Sequence, residues 1–153
     1  MQKFISNVFS IDMPDGWTLS TLIFAGPVDE KTDDALVGIG SAKPFQKNLV
    51  ITLEAIAADV TLEDYLKRQR DGLIKAEVDW QPDQEPETVQ LADGSVAILS
   101  EHTMMGQGGA LIRQIQLMRF KSGVAYTFIA SDLEGYPFDL ARDDFRKILL
   151  SVS

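Results

Sequence analysis

Residues 87–131 have the sequence ETVQLADGSVAILSEHTMMGQGGALIRQIQLMRFKSGVAYTFIAS, and this stretch decides the fold. Four apolar-rich runs are separated by three turn signals, at residues 93–94, 105–109 and 121–123. Asp-Gly between alternating runs is typical of a two-residue hairpin turn, in which both central residues have positive φ. Gly123 occupies the position at which a three-residue hairpin loop favours a left-handed residue. The stretch therefore predicts a contiguous antiparallel meander of four strands.

Three further strands are predicted before the meander. Residues 8–13, 18–25 and 48–54 alternate between two sets of side chains, as half-buried strands do. The turn sequence Pro-Asp-Gly at residues 14–16 separates the first two runs. This sequence favours a turn, and it suggests that the strands on either side of it pair with each other.

Two helices are predicted, one before the meander and one after it. Apolar side chains recur at helical spacing over residues 61–76, where Thr61 is a suitable N-cap. A second helix begins at Pro137 or Asp139 and can bury one apolar stripe. The predicted order of elements is β-β-β-α-β-β-β-β-α. The fold class is therefore α+β, with an antiparallel sheet and both helices packed on one face.

Residues 26–48 combine turn-forming and acidic residues with only a short apolar run, which indicates a long, partly mobile loop. Loops of this length often have a function. A lid or partner-contacting flap and an insertion without a role both stay open.

Length and composition limit the class of protein. The chain has 153 residues and a mass of 16.9 kDa, which predicts a single domain over residues 1–153. A net charge of −9 disfavours nucleic acid and anionic membranes as partners. The absence of cysteine excludes disulfides and thiol chemistry. No apolar run has the length of a signal peptide core or a membrane span, so we expect a cytoplasmic protein that is not inserted in a membrane.

Candidate catalytic groups are few. His102 is the only histidine, and Glu101 beside it should point to the opposite face of a strand. The glycines in residues 106–109 lie between two predicted strands and open no helix, so we interpret them as a flexible hairpin tip rather than a phosphate site. Two pairs of nearby carboxylates lie outside any recognisable ligand loop, and we interpret them as turn and helix-start acids. These pairs are Asp132 with Glu134 and Asp143 with Asp144. We expect no enzyme activity, no metal and no cofactor.

The predicted strands carry apolar side chains on both faces. In residues 110–120 and 124–131, each of the two alternating sets contains several apolar side chains. If both helices cover one face, the other face needs a partner, a second subunit or a ligand. Alternatively, the sheet twists and the long loop folds over it.

A series of motifs along the chain resembles a known family. The motifs are FSIDMPDGW at 9–17, NLVITLE at 48–54, LEDYLKRQ at 62–69, LADG at 91–94, RQIQL at 113–117, YTF at 126–128 and FRKILLS at 145–151. Together they resemble the DcrB-like/Eag-type domain of the PsbP-like fold, whose Eag members are adaptor chaperones of bacterial type VI secretion. The missing signal peptide favours the Eag members, since the DcrB-type relatives are exported. The length of residues 26–48 departs from the family pattern.

The resemblance implies a homodimer that shields the hydrophobic N-terminal transmembrane segments of a secreted effector in an apolar groove on its sheet. It implies no catalytic residue. Alternation along the strands suggests seven groove residues: Leu22, Phe24, Leu49, Ile51, Ile98, Ile115 and Leu117. The alternatives are a PsbP-like assembly or interaction module with a different partner, or a protein that binds a small ligand in the same groove.

Overall fold

The structure is a computed structural model. It describes residues 2–5, 10–13, 15, 18–20, 23–25, 45–75, 81–82 and 85–153. Most of the predicted loop over residues 26–48 therefore lies outside the described residues.

The described residues form ten strands and two α-helices. The strands are β1 (Gln2–Ile5), β2 (Ser10–Met13), β3 (Thr18–Ser20), β4 (Ile23–Ala25), β5 (Asn48–Ala55), β6 (Gln81–Pro82), β7 (Glu87–Gln90), β8 (Val96–Met105), β9 (Leu111–Lys121) and β10 (Val124–Leu133). Helix α1 (Leu62–Lys75) follows β5, and helix α2 (Tyr136–Leu150) follows β10. A 3-10 turn (Gln107–Gly109) connects β8 to β9.

Eight of these strands form one antiparallel sheet. Its order is β3-β4-β5-β10-β9-β8-β6, and β7 pairs with β8 beside β6. The predicted meander is therefore confirmed, as are the α+β class and the predicted succession of strands and helices. The sequence prediction lacked the short strands β1 and β6, and it treated β3 and β4 as one strand.

Two hairpin turns differ from the predicted types. Between β7 and β8, Leu91 and Ser95 close a three-residue loop in which Gly94 has a φ of 81°. Between β9 and β10, Ser122 and Gly123 form a two-residue turn, and both have positive φ. The prediction had assigned these two types the other way round, because glycine at a left-handed position is compatible with either loop length.

The predicted pairing of the two N-terminal strands is wrong. Strand β2 pairs with β1, and β3 pairs with β4, which in turn pairs with β5. Among the described residues, the two strands on either side of the Pro-Asp-Gly sequence therefore do not pair with each other. The turn propensity of this sequence is local, whereas the partner of β2 depends on which strand lies beside it in the folded chain.

The two helices lie on opposite faces of the sheet, so the prediction that they share one face is wrong. Adjacent residues of β9 show this arrangement, since Leu117 belongs to the core beneath α2 and Met118 to the core beneath α1. Both side chains are 0% exposed. The α2 core contains Phe138, Phe145, Ile148 and Leu149 of the helix, and the α1 core contains Tyr65 and Leu66.

Helix α1 is held by a cap and by a buried hydroxyl. The Asp64 backbone amide donates to the Thr61 hydroxyl at 3.1 Å, which confirms Thr61 as N-cap. The Tyr65 hydroxyl donates to Glu54 on β5 at 2.7 Å and accepts from Gln69 at 2.9 Å. Burial raises the pKa of Tyr65, and the hydrogen bond to Glu54 and the charge of that carboxylate raise it further.

The end of the chain beyond α2 is fixed by a buried arginine. Arg119 is 1% exposed and donates to the Asp93 carboxylate at 3.2 Å and to the Ser153 carbonyl at 3.3 Å. Ser153 also exchanges two backbone hydrogen bonds of 3.1 Å with Ser10 of β2. These contacts fix β2 and the end of α2 to the same end of the sheet.

We expect Leu117→Ala and Met118→Ala each to lower the free energy of unfolding by about 2–5 kcal/mol, because each empties part of a different closed core. Val96→Ala is the control, because Val96 is 57% exposed and should change stability by no more than about 0.5 kcal/mol. Urea unfolding measures all three. A Met118→Ala cost as small as that of the control would mean that α1 does not seal its face.

We expect Tyr65→Phe to alter the alkaline pH dependence of stability. Unfolded tyrosine ionises near pH 10, at about its reference pKa. The raised native pKa keeps the proton bound, so wild-type stability falls as pH rises above this value. Tyr65→Phe removes this titration and should decline less steeply, while being about 1 kcal/mol less stable at neutral pH. Urea unfolding across this pH range measures the free energy of unfolding of the wild type, of Tyr65→Phe and of the control Tyr136→Phe, which changes an exposed side chain. Equal slopes of this free energy against pH in all three proteins would contradict the prediction.

Candidate functional site

The sheet ends in a group of apolar side chains at the β8–β9 hairpin. Met105 pairs with Leu111, and the next row across the sheet contains Met104, Ile112 and Leu133. We call these five residues the apolar rim. Met105 is 38% exposed and Leu111 44%, while the other three are half-buried. Because adjacent residues of a strand point to opposite faces, Met105 and Leu111 lie on the face that carries α2, and the other three lie on the face that carries α1. The rim is therefore an apolar end of the sheet that is exposed mainly at Met105 and Leu111.

The hairpin that carries the apolar rim packs Gly106 closely against a rim side chain. The Gly106 amide donates to the Ala110 carbonyl at 2.8 Å and closes the loop. A Cβ atom at this position would lie 2.3 Å from Cδ1 of Ile112. Any larger residue would therefore displace a rim side chain.

A row of polar side chains lies just inside the apolar rim, on the face of the sheet that carries α1. His102 Nε2 is hydrogen-bonded to the Gln114 side-chain oxygen at 2.8 Å, and the Gln114 amide donates to the Ser131 hydroxyl at 2.9 Å. His102 and Ser131 are each 3% exposed. In the next row, Gln116 donates to the Ser100 hydroxyl at 3.0 Å. These side chains satisfy one another, so they fix the strands in register rather than offering free groups.

An ionic network lies on the opposite face, beneath the start of α2. Glu101 is 5% exposed and contacts two arginines, Arg113 on β9 and Arg142 on α2, with 3.0 Å to Arg142 Nε. Arg113 also lies 5.2 Å from the centre of the Phe138 ring. His102 and Glu101 therefore point to opposite faces, as predicted. The network joins β8, β9 and α2.

The carboxylate pairs do not form a site in the described residues. Asp132 is buried and accepts from the Leu133 amide at 2.8 Å, whereas Glu134 is exposed. Asp143 and Asp144 lie exposed on α2, and Asp144 is 3.6 Å from Lys147. Within the parts of the chain that the structure describes, no three acidic or histidine side chains come together in a way that could hold a metal ion.

A cleft beside α2 is too small for an organic ligand. It has a volume of about 10 Å³ and is lined by Glu85, Glu87, Leu99, Ser100, Glu101, Ile115 and Arg146. This volume corresponds to about one water molecule, whereas ligand pockets usually exceed about 300 Å³.

The predicted groove residues do not lie together on one surface. Four of them, Leu49, Ile51, Ile115 and Leu117, are at most 2% exposed in the core beneath α2. Ile98 is 4% exposed in the separate core beneath α1.

The other two predicted groove residues are described incompletely. Leu22 lies outside the described residues, and of Phe24 only the backbone is described, paired with Leu49 in the sheet. A client could therefore reach the five described groove residues only if a helix left the sheet.

The sequence prediction missed the apolar rim and both polar groups. The apolar residues on either side of the turn between β8 and β9 can be identified in the sequence. Which of them share a row depends on the pairing of β8, β9 and β10, and only the folded sheet shows that pairing. The contact of Glu101 with Arg142 joins residues 41 positions apart, for which the sequence offers no local pattern.

Comparison with solved structures identifies the fold. The chain is similar to CyanoP, the cyanobacterial PsbP of Synechocystis sp. PCC 6803, with a TM-score of 0.66 and 16% identity over 99% of this chain and 91% of that one. The fold is PsbP-like. A second PsbP-like structure is PA94 from Pseudomonas aeruginosa, a protein of unknown function suggested to be a regulator. It matches with a TM-score of 0.65 and 14% identity over 95% of this chain and 91% of that one.

At these identities the likeness shows the PsbP-like fold alone. No family model and no curated protein matches the chain. The resemblance to the DcrB-like/Eag-type domain therefore stays a prediction. Neither described helix is both long and apolar enough to cross a membrane.

We expect Glu101→Gln to lower the free energy of unfolding by about 3–5 kcal/mol, because it removes the charge that two arginines share in a buried position. Glu87→Gln is a matched control. Glu87 contacts Arg146 at 3.1 Å, but its side chain is 54% exposed, so the change should cost at most about 1 kcal/mol. Urea unfolding of both variants tests this, and equal costs would contradict a dominant role of the buried network.

Proposed function

We propose that this protein is a non-catalytic adaptor chaperone that holds an apolar segment of a partner protein at the apolar rim. The partner class that agrees with the sequence motifs is a type VI secretion effector with hydrophobic N-terminal segments, bound in the cytoplasm. The apolar end of the sheet, exposed at Met105 and Leu111 on a strongly acidic chain, is the observation that carries this proposal.

The apolar rim suits the holding of an apolar segment for a physical reason. Its side chains are aliphatic or thioether groups, and methionine adapts its shape to different apolar surfaces. On the α1 face the polar side chains next to the rim are hydrogen-bonded to one another, and on the α2 face Arg113 is paired with Glu101. A segment at the rim would therefore meet apolar contacts without convergent polar groups, which favours a chaperone over a small-ligand site.

The size of the apolar rim argues for two protomers. Apolar area contributes about 25 cal/mol per Å², so the exposed parts of five side chains contribute only a few kcal/mol. That corresponds to a dissociation constant of about millimolar or weaker. A membrane-spanning segment has about 20 apolar residues and needs much more cover. We therefore propose a homodimer in which both protomers contribute a rim.

The experiment is co-expression with the N-terminal apolar fragment of a candidate effector, followed by size-exclusion chromatography with light scattering. The expected result is a dimer that keeps the fragment soluble. Met105→Asp and Leu111→Asp should each reduce the soluble fragment at least about fivefold, because a buried carboxylate is strongly disfavoured.

The matched control is Val96→Asp, because Val96 is also an exposed apolar residue of β8 but lies outside the rim. It should behave like the wild type, and circular dichroism should show that all variants are folded. A monomer that leaves the fragment insoluble would favour an interaction module with a different partner. Rim variants that hold the fragment as well as the wild type would place the contact elsewhere.

A further inference from the structure

The first half of α2 exposes apolar side chains on its outer surface. Tyr136 is 72% exposed and Leu140 is 60% exposed. The two residues are four positions apart, so they lie next to each other on one side of the helix. The apolar residues that α2 buries, such as Phe138 and Phe145, point to the sheet instead. Tyr136 and Leu140 therefore have no role in the α2 core.

Carboxylates surround this apolar pair. Asp139 follows Tyr136 by three positions, and Asp143 follows Leu140 by three, so each lies beside one apolar residue. Both carboxylates are exposed, as is Glu134 just before the helix. Residues 132–144 contain five acidic side chains and one basic, a net −4 of the −9 of the whole chain.

The nearest basic side chains are already paired, mainly with carboxylates that lie outside this surface. Arg142 and Arg113 both contact Glu101, and Arg113 is also 3.9 Å from Asp139. Lys147, one turn further along α2, lies 3.6 Å from Asp144. The favourable interaction of acids with a helix N-terminus accounts for Asp139. It does not account for two large apolar side chains that are exposed among the acids.

The outer surface of α2 begins close to the apolar rim. The Glu134 backbone amide donates to the Leu111 carbonyl at 3.0 Å, so the start of α2 is attached to a rim residue. A partner segment that lies at Leu111 is therefore near the start of α2, and it would extend from there along the outer side of the helix. Its apolar residues would meet Tyr136 and Leu140, and its charged residues would meet the flanking carboxylates.

We propose that the outer surface of α2, formed by Glu134, Tyr136, Asp139, Leu140 and Asp143, binds a basic amphipathic helical segment of a partner protein. This inference rests on the proposed function. It specifies the charge of the partner segment that adjoins the apolar segment held at the rim. Charge complementarity selects lysine or arginine beside leucine-like residues. The same negative field repels nucleic acid and anionic membranes, which leaves a protein segment as the occupant.

The test uses two fluorescent amphipathic peptides of equal length, one built from leucine and lysine and the other from leucine and glutamate. Fluorescence anisotropy with the full-length protein should show at least tenfold tighter binding of the lysine peptide at low ionic strength. The difference should shrink at physiological ionic strength, because salt screens exposed charges. Asp139→Asn with Asp143→Asn should weaken the lysine peptide about fivefold or more.

Two further variants separate local contact from overall charge. Glu63→Gln with Asp71→Asn makes the same change in net charge on exposed residues of α1, across the sheet. This control should bind like the wild type within about twofold. Tyr136→Ser with Leu140→Ser should weaken both peptides, because it removes the apolar contact.

The inference is overturned if the α2 charge variant binds the lysine peptide as well as the α1 control does. It is also overturned if the glutamate peptide binds equally well. Binding of the lysine peptide at α2 by a protein that leaves the effector fragment insoluble would refute the chaperone function and support this surface. A protein that keeps the fragment soluble but shows no peptide preference would support the chaperone function and overturn this inference.

Discussion

Burial of both faces of strand β9 is the constraint on which the rest of the structure depends. Leu117 and Met118 are neighbours in sequence, point to opposite faces and are both fully buried. A strand of this kind needs cover on each side, because its exposed apolar area would otherwise favour association by about 1.5–3 kcal/mol per large side chain. The placement of α1 on one face and α2 on the other provides that cover.

The polar rows near the apolar rim fix the pairing of the central strands. A sheet with apolar residues on both faces has a weak preference for one register, because a slipped strand still buries apolar groups. The bonds between His102, Gln114 and Ser131 on one face, and between Glu101 and two arginines on the other, are lost if β8 or β9 slips. Burying these polar and charged groups removes them from water, which costs free energy. Their clearest benefit is therefore the specificity of strand pairing rather than net stability.

The two ends of the sheet are built differently. At one end, the buried Arg119 joins strand β9 to Asp93 in the turn before β8 and to Ser153 in the segment after α2. At the other end, the rim and the outer surface of α2 present apolar groups beside carboxylates. The PsbP-like fold is shared with CyanoP and PA94 at 14–16% identity, and a fold of this kind does not by itself specify a partner.

The sequence by itself determined the local elements. The turn residues near Gly94 and Gly123 and the alternation in β9 and β10 predicted the meander, and helical spacing predicted α1 and α2, because these features depend on neighbours within a few residues. The net charge of −9 disfavoured nucleic acid and anionic membranes as partners, and the lack of cysteine excluded disulfides and thiol chemistry. Only the tertiary structure decided which helix covers which face, and with it the fate of the predicted groove. Alternation shows that Ile98 and Leu99 point to opposite faces, but long-range packing decides that α1 covers the first and α2 the second.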